Sequence, residues 1–188
     1  MNHTPQIKRA VQFAARKHKD HYRAEAETLP YITHLISVAL LVAEGGAGDD
    51  VVSAALLHDT LEDTDTSREE LVVNFNEHVA ELVEHVSEGE GSDWREKNAA
   101  YLKHLEEAPD DALLIAIADK IDNIESKLEA LEKEGTALLA RWKRPQADYL
   151  WYHGEAARIA AARLPAHPLT KRLQAVHQRE REALTNAD

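Results

Sequence analysis

The chain contains no cysteine. That excludes a disulfide framework and any thiolate metal site. A metal in this protein would therefore be held by histidine, carboxylate and water. Glycine and proline are scarce, at 7 and 6 of 188 residues. So few turn formers argue against a β-rich fold. No run of about 18 apolar residues occurs, so no membrane span is expected. The first residues, MNHTPQIKRA, lack the apolar core of a signal peptide. A cytoplasmic location is the simplest expectation.

Positive charge is also short. Lys and Arg number 22 against 34 Asp and Glu, a formal net charge of −12. A nucleic-acid binder is more often basic, and no nucleic-acid partner is expected. The charge is uneven, however. Between Lys8 and Arg23 lie six Lys/Arg against the single acid Asp20, whereas residues 62–90 hold ten acids against Arg68. Solvated helix faces account for most of these charges. The basic segment could also meet a small anion.

What remains is 44% hydrophobic and 30% charged, ordinary for a soluble globular protein. The apolar periodicity is helical nearly throughout. It predicts a helix over about 5–20 and then a loop, HYRAEAETLP. A second helix follows Pro30 and stops at Gly45 and Gly46. A third starts near Asp49 or Asp50 and carries VVSAALLHD. Ser67 and Glu70 stand at capping-box spacing and start another. Helices through EHVAELVEHVSEG and DWREKNAAYLKHLEEA come next, joined by a loop at 89–92. Pro109 with Asp110 and Asp111 suits the first turn of a long helix that ends at Gly135. Two more helices are predicted over 136–163 and 168–184. The expectation is an all-α protein, one compact helical bundle spanning residues 1–188. The residues after LPAHP are too few for a further catalytic or regulatory domain, so control by one is not expected.

Three places combine apolar surroundings with chemistry. The first is AALLHDTLEDTDTS, residues 54–67. If 51–63 is helical, His58 and Glu62 share a face, as do Asp59 and Asp63. Adjacent imidazole and carboxylate can bind a divalent cation from a helix end. The alternative is a core histidine followed by a solvated last turn. Acids there would oppose the helix dipole, which weakens that alternative. The second is Asp119, preceded by six apolar residues from Leu113 to Ala118. A buried carboxylate must be paired, hydrogen-bonded or on a metal, and a buried Lys or Arg would serve as well. Asn123, four residues on, shares its face. The third is His34 in YITHLISVAL, which alone would read as a core residue. Together, His34, His58, Asp59 and Asp119 would form a two-histidine, two-carboxylate shell drawn from three helices. Mn²⁺, Fe²⁺ or Zn²⁺ would all suit it. The other histidines show no comparable partners, and most are read as surface. Trp142, Tyr149, Trp151 and Tyr152 are read as an aromatic core patch rather than a substrate contact.

These elements resemble the HD-domain metal phosphohydrolases. The resemblance is closest to the RelA/SpoT-type alarmone hydrolases and their small stand-alone relatives. Its carriers are Arg23, PYITH at 30–34, ALLHDTLED at 55–63 and IADKIDN at 117–123, in that order. The resemblance implies a metal-dependent hydrolase that removes the 3′-pyrophosphate of (p)ppGpp, leaving GDP or GTP. It implies His34, His58, Asp59 and Asp119 as ligands of one divalent ion, Mn²⁺ first. Such an ion would lower the pKa of bound water and polarise a phosphoryl oxygen. Glu62 and Asp63 would orient and deprotonate the attacking water. Asn123 would position substrate, and Arg23 would meet the nucleotide.

The chain departs from that pattern at Ala24 and Ala116, where lysine is common, and at Thr28, Leu29, Leu35 and Asn76. The two absent lysines thin the positive charge around a polyphosphate. A phosphatase or phosphodiesterase acting on another phosphorylated nucleotide is the alternative. An idle nucleotide-binding domain is a further one, against which Glu62 and Asp63 speak. A homo-oligomer is compatible with all three.

Overall fold

The computed structural model describes residues 4–23, 26–87 and 92–185. Helix α1 (Pro5–Lys17) opens with Thr4, whose hydroxyl accepts from the Ile7 amide, and with Pro5 at its first position. Both are standard helix starts. A short antiparallel hairpin follows, β1 (Tyr22–Arg23) and β2 (Ala26–Pro30), with Tyr22 opposite Pro30. The loop predicted here is thus a β-hairpin. It carries little apolar alternation because the strand residues Tyr22, Thr28, Leu29 and Pro30 face solvent.

Helices α2 (Ile32–Glu44) and α3 (Asp49–Leu57) come next, joined by a turn in which Gly46 adopts a φ of 91°. Only glycine takes that conformation without strain. Every residue of α3 from Val51 to Leu57 is buried, as expected of a central helix. α3 then breaks at His58–Asp59 before α4 (Thr60–Asp63). The continuous helix considered for 51–63 does not form. Asp59 has φ −94° and ψ 1°, and side chains replace the lost backbone partners. His58 Nδ1 is 2.8 Å from the Ala55 carbonyl, and the Thr60 hydroxyl donates to the Leu57 carbonyl.

Next are α5 (Arg68–Asn74), α6 (Glu77–Val86) and α7 (Trp94–Leu105). The predicted Ser67 cap is present: its hydroxyl accepts from the Glu70 amide. The loop expected at 89–92 falls largely outside the described residues. The long helix α8 (Asp110–Glu134) crosses the molecule and packs against α2, α3, α6, α9 and α10. It ends at Gly135, with φ 72°. The helix predicted over 136–163 is divided into a 3-10 turn (Thr136–Arg141) and α9 (Gln146–Arg163). Pro145 explains the division, because it lacks an N–H and disfavours helical geometry at Arg144. Helix α10 (Pro168–Thr185) closes the bundle against α8 and α9.

The core lies where α2, α3 and α8 meet, with Leu35, Leu56, Leu57, Ile117 and Ile121 essentially inaccessible. Arg163 ties α9 to the α7–α8 turn by donating to the Glu106 and Ala108 carbonyls and to Asp110. The architecture is all-α apart from the hairpin. Among the described residues, no helix is long and apolar enough to cross a membrane. Leu56→Ala is expected to cost about 2–5 kcal/mol, the range for emptying a fully buried leucine site, as measured by urea unfolding.

Candidate active site

Three helical segments bring the four predicted ligand residues together. His58 ends α3, and its Nδ1–H is taken by the Ala55 carbonyl. Its Nε2 is buried and has no hydrogen-bond partner. His34, on α2, directs Nδ1 to the Asp122 carboxylate at 2.6 Å. That leaves its Nε2 at 3.2 Å from Asp119 Oδ1 and 3.7 Å from Asp59 Oδ2. His58 Nε2 lies 3.1 Å from Asp59 Oδ2 and 3.7 Å from Asp119 Oδ1. The donor atoms of His34, His58 and Asp59 all fall within 4.8 Å of one another.

The chemistry of these donors fits a divalent cation. Each imidazole spends its proton on a carbonyl or carboxylate behind it, which fixes the tautomer and presents a lone pair on Nε2. With Nε2 deprotonated, two ring nitrogens and two carboxylates converge there, while Tyr31 donates to Asp59 and Asn123 and Lys120 donate to Asp119. Such a mixed N/O set suits Mn²⁺, Fe²⁺ or Zn²⁺.

Electrostatics agree. Burial acts to lower both histidine pKa values, yet the carboxylates outweigh it and hold His34 and His58 above the ordinary range. Burial likewise opposes ionisation of Asp59 and Asp119. The imidazoles hold Asp59 down, and Lys120 with both imidazoles holds Asp119 well down. The pocket demands positive charge, which protons supply when no metal does.

The supporting groups were not singled out in the sequence. Asp122 orients His34. Tyr31 donates its hydroxyl to Asp59 Oδ2 at 2.7 Å. Lys120 pairs with Asp119, its ammonium lying 5.3 Å and 4.9 Å from the ring centroids of Tyr101 and Tyr152. Spacing offered a signal for two of them. Tyr31 precedes His34 by three residues and Asp122 follows Asp119 by three, which sets each beside a predicted ligand residue and so near the cluster. The buried Lys considered as an ion-pair partner for Asp119 is thus present, beside the two-histidine, two-carboxylate cluster.

The predicted substrate residues form a chain behind the cluster. Arg23 Nη2 donates to Asn123 Oδ1 at 3.1 Å, and Asn123 Nδ2 donates to Asp119 Oδ1 at 2.6 Å. Arg23 is buried and also lies 3.6 Å from Asp122. Glu62 and Asp63, on α4, line a cavity of about 300 Å³ together with His58, Asp59, Asp119 and Asn123. Arg23 lines a neighbouring cavity with Leu29 and Ser126.

The remaining walls of the first cavity correct two expectations. Tyr149 and Tyr152 line it, together with Trp94 and Tyr101, so the aromatic segment is not only core. Trp142 packs edge-on against Tyr149, and Trp151 lies under the Arg95 guanidinium at 4.2 Å. His18 and His153 are buried rather than on the surface. His18 stacks on Tyr31, and His153 meets Glu180. Both contacts join separate elements, which periodicity does not reveal.

Known proteins resemble this chain in sequence and fold. A family model described as HD domain matches residues 10–143. The chain belongs to the HD-domain family. Among curated HD-domain relatives is the guanosine-3′,5′-bis(diphosphate) 3′-pyrophosphohydrolase MESH1 of Homo sapiens. It is 40% identical over 121 residues, 63% of this chain and 68% of that one. The Aquifex aeolicus enzyme of the same name, without the MESH1 label, is 40% identical over 127 residues, 66% of this chain. This HD-domain chain spans only 18% of the length of the Aquifex protein. Among solved structures, a metazoan SpoT ortholog has a TM-score of 0.78 at 24% identity, covering 95% of this chain and 97% of that one. The lmo0812 protein of Listeria monocytogenes has a TM-score of 0.72 at 26% identity, covering 77% and 96%.

Two predictions follow from the HD-domain centre. Asp122→Asn is expected to weaken divalent-metal affinity by about 10–100-fold, the cost of losing a carboxylate behind a metal-binding histidine. Competition with a chelating indicator measures it. Because His34 and His58 are held above their ordinary pKa, metal must displace protons. Affinity is therefore expected to keep rising with pH through and beyond 6.5, with proton release on binding read by calorimetry in paired buffers.

Proposed function

We propose that this chain is a metal-dependent nucleotide pyrophosphohydrolase that removes the 3′-pyrophosphate of (p)ppGpp. The products are GDP or GTP and pyrophosphate. One observation carries the reading: the His34, His58, Asp59 and Asp119 cluster shares a cavity edge with the acid pair Glu62 and Asp63. The names of the curated relatives support the substrate.

His34, His58, Asp59 and Asp119 would hold one divalent ion, with Mn²⁺ preferred. Bound there, it would supply a nucleophilic water near neutral pH and positive charge for the phosphoryl oxygens. The chain's own residues do the rest. Glu62 and Asp63 are exposed to the cavity and take the proton of the attacking water, the work of a general base. Asn123 and Arg23 bind substrate and steady Asp119 through their hydrogen-bonded chain. Tyr31 fixes the rotamer of Asp59. The whole of residues 1–188 serves as one phosphohydrolase domain. A nucleotide substrate and a chain without cysteine suit the cytoplasm.

A second reading has its own observation. Ala24 and Ala116 stand where lysines were expected, and Lys120 is committed to Asp119. With those two lysines absent and Lys127 the other lysine lining the cavity among the described residues, the observation favours another phosphorylated nucleotide. A panel of phosphorylated nucleotides with Mn²⁺-loaded protein separates the two. Pyrophosphate release from ppGpp supports the first reading, and turnover of another nucleotide without it sinks that substrate. In either case Glu62→Gln is expected to lower kcat by about 10²–10⁴-fold, the usual contribution of a general base, with metal content unchanged.

A further inference from the structure

Helices α9 and α10 bury a second histidine–carboxylate group that the hydrolytic assignment leaves unused. Glu180 on α10 is 2% exposed. His153 Nδ1 on α9 lies 2.8 Å from Glu180 Oε1 and 3.0 Å from Oε2. His177 Nδ1 lies 3.0 Å from Oε2. Burial alone would push the Glu180 carboxyl up, yet the hydrogen bonds from the two imidazoles bring it to about 2. An ionised carboxylate is thus enclosed between two helices. Apolar side chains would join those helices as well or better. The packing is fitted around the group: a Cβ on Gly154 would come within 3.2 Å of His177 Nε2.

What distinguishes this group is its position. His153 lines the same cavity as Glu62, Asp63 and Asp119. Its Nδ1 is committed to Glu180, so Nε2 is the ring nitrogen left for a molecule in that cavity. Cations are few among the described residues that line the cavity. Its lysines are Lys120 and Lys127, and Lys120 is paired with Asp119. Four carboxylates, those of Asp59, Glu62, Asp63 and Asp119, line the same space.

We propose that His153 is a substrate-binding residue: a phosphate oxygen arriving at Nε2 draws a proton onto the ring, and Glu180 holds the resulting imidazolium in place. The proposal rests on reading the cavity as a phosphorylated-nucleotide site. The proton comes from solvent, and no other bond forms or breaks. In the unliganded protein the ring favours its neutral form, because burial outweighs the pull of Glu180 and because Lys127 and Lys120 add to burial. A bound anion reverses that balance. Binding therefore takes up a proton, and affinity falls as pH rises through the pKa of the ring in the complex. The titratable groups facing His153 are Glu180 and His177 from α10, Lys120 and Lys127 from α8, and Tyr149 and Tyr152 on its own helix. Glu180 is a positioning residue that acts through His153.

The test uses metal-loaded full-length protein and inorganic pyrophosphate, by calorimetry in two buffers of different ionisation enthalpy. His153→Asn keeps an amide near the Nδ1 position but has no atom at Nε2. Protonation of the probe itself is common to all variants, so the difference from wild type is the readout. Wild type is expected to take up more protons than His153→Asn and to bind about tenfold more tightly, as for one charge-assisted hydrogen bond. Glu180→Gln should move the pH dependence to lower pH, since the imidazolium loses its counter-charge. With ppGpp as substrate, His153→Asn should raise KM about tenfold with little change in kcat. Equal proton uptake and equal affinity in wild type and His153→Asn would overturn the proposal. So would loss of uptake in His177→Asn with retention in His153→Asn. If wild type fails to hydrolyse ppGpp while the calorimetric difference stands, the guanosine substrate falls and His153 remains. Turnover of ppGpp with an unchanged KM in His153→Asn gives the reverse.

Discussion

The site depends on where two imidazole protons are parked. His58 gives its Nδ1 proton to the Ala55 carbonyl, and His34 gives its own to Asp122. Were either proton on Nε2 instead, an N–H would point into the cluster and repel a cation. The first of these bonds exists because α3 ends at Leu57, which frees carbonyls in its last turn. The end of one helix thus decides the tautomer of a histidine in the cluster. The turn at Asp59 then brings its carboxylate beside both Nε2 atoms.

A related economy governs charge. The protein is strongly acidic overall, and its cavity gathers four carboxylates. Such a place resists a polyanion until something positive enters. A divalent ion held there would answer two of the carboxylates, and Lys120 already answers one face of Asp119. The tyrosine rings on either side of Lys120 hold its ammonium by their negative faces. They do so without accepting its proton, so the lysine keeps its charge while buried.

Much of this was legible in the sequence for a simple reason. His34, His58 and Asp119 are polar interruptions in strongly apolar helices, and burial makes such interruptions costly unless they are used. The helices themselves followed from periodicity and caps, as at Thr4, Ser67 and Gly135. What stayed hidden was long-range pairing. Glu180 reads as one more surface acid in a charged helix, yet it is enclosed by a histidine 27 residues earlier. Arg23 reads as an open cation, yet its guanidinium reaches a residue 100 positions away. The hairpin that carries it lacked alternation because its outward residues face solvent. The helix break at Pro145 was visible as a residue, but the apolar period ran across it.

The chain from Arg23 through Asn123 to Asp119 makes the hairpin and the metal cluster parts of one mechanical unit. A molecule that draws the guanidinium towards itself must lengthen or reorient the bond from Asn123. Asp119 Oδ1, which accepts from Asn123 and lies near both Nε2 atoms, then changes its basicity. Thermodynamic reciprocity runs the other way with equal strength. An ion held beside Asp119 would bear on Arg23 through the same two bonds. A change at the cluster would thereby reach the buried Arg23 guanidinium, and the second cavity that it lines, through two hydrogen bonds.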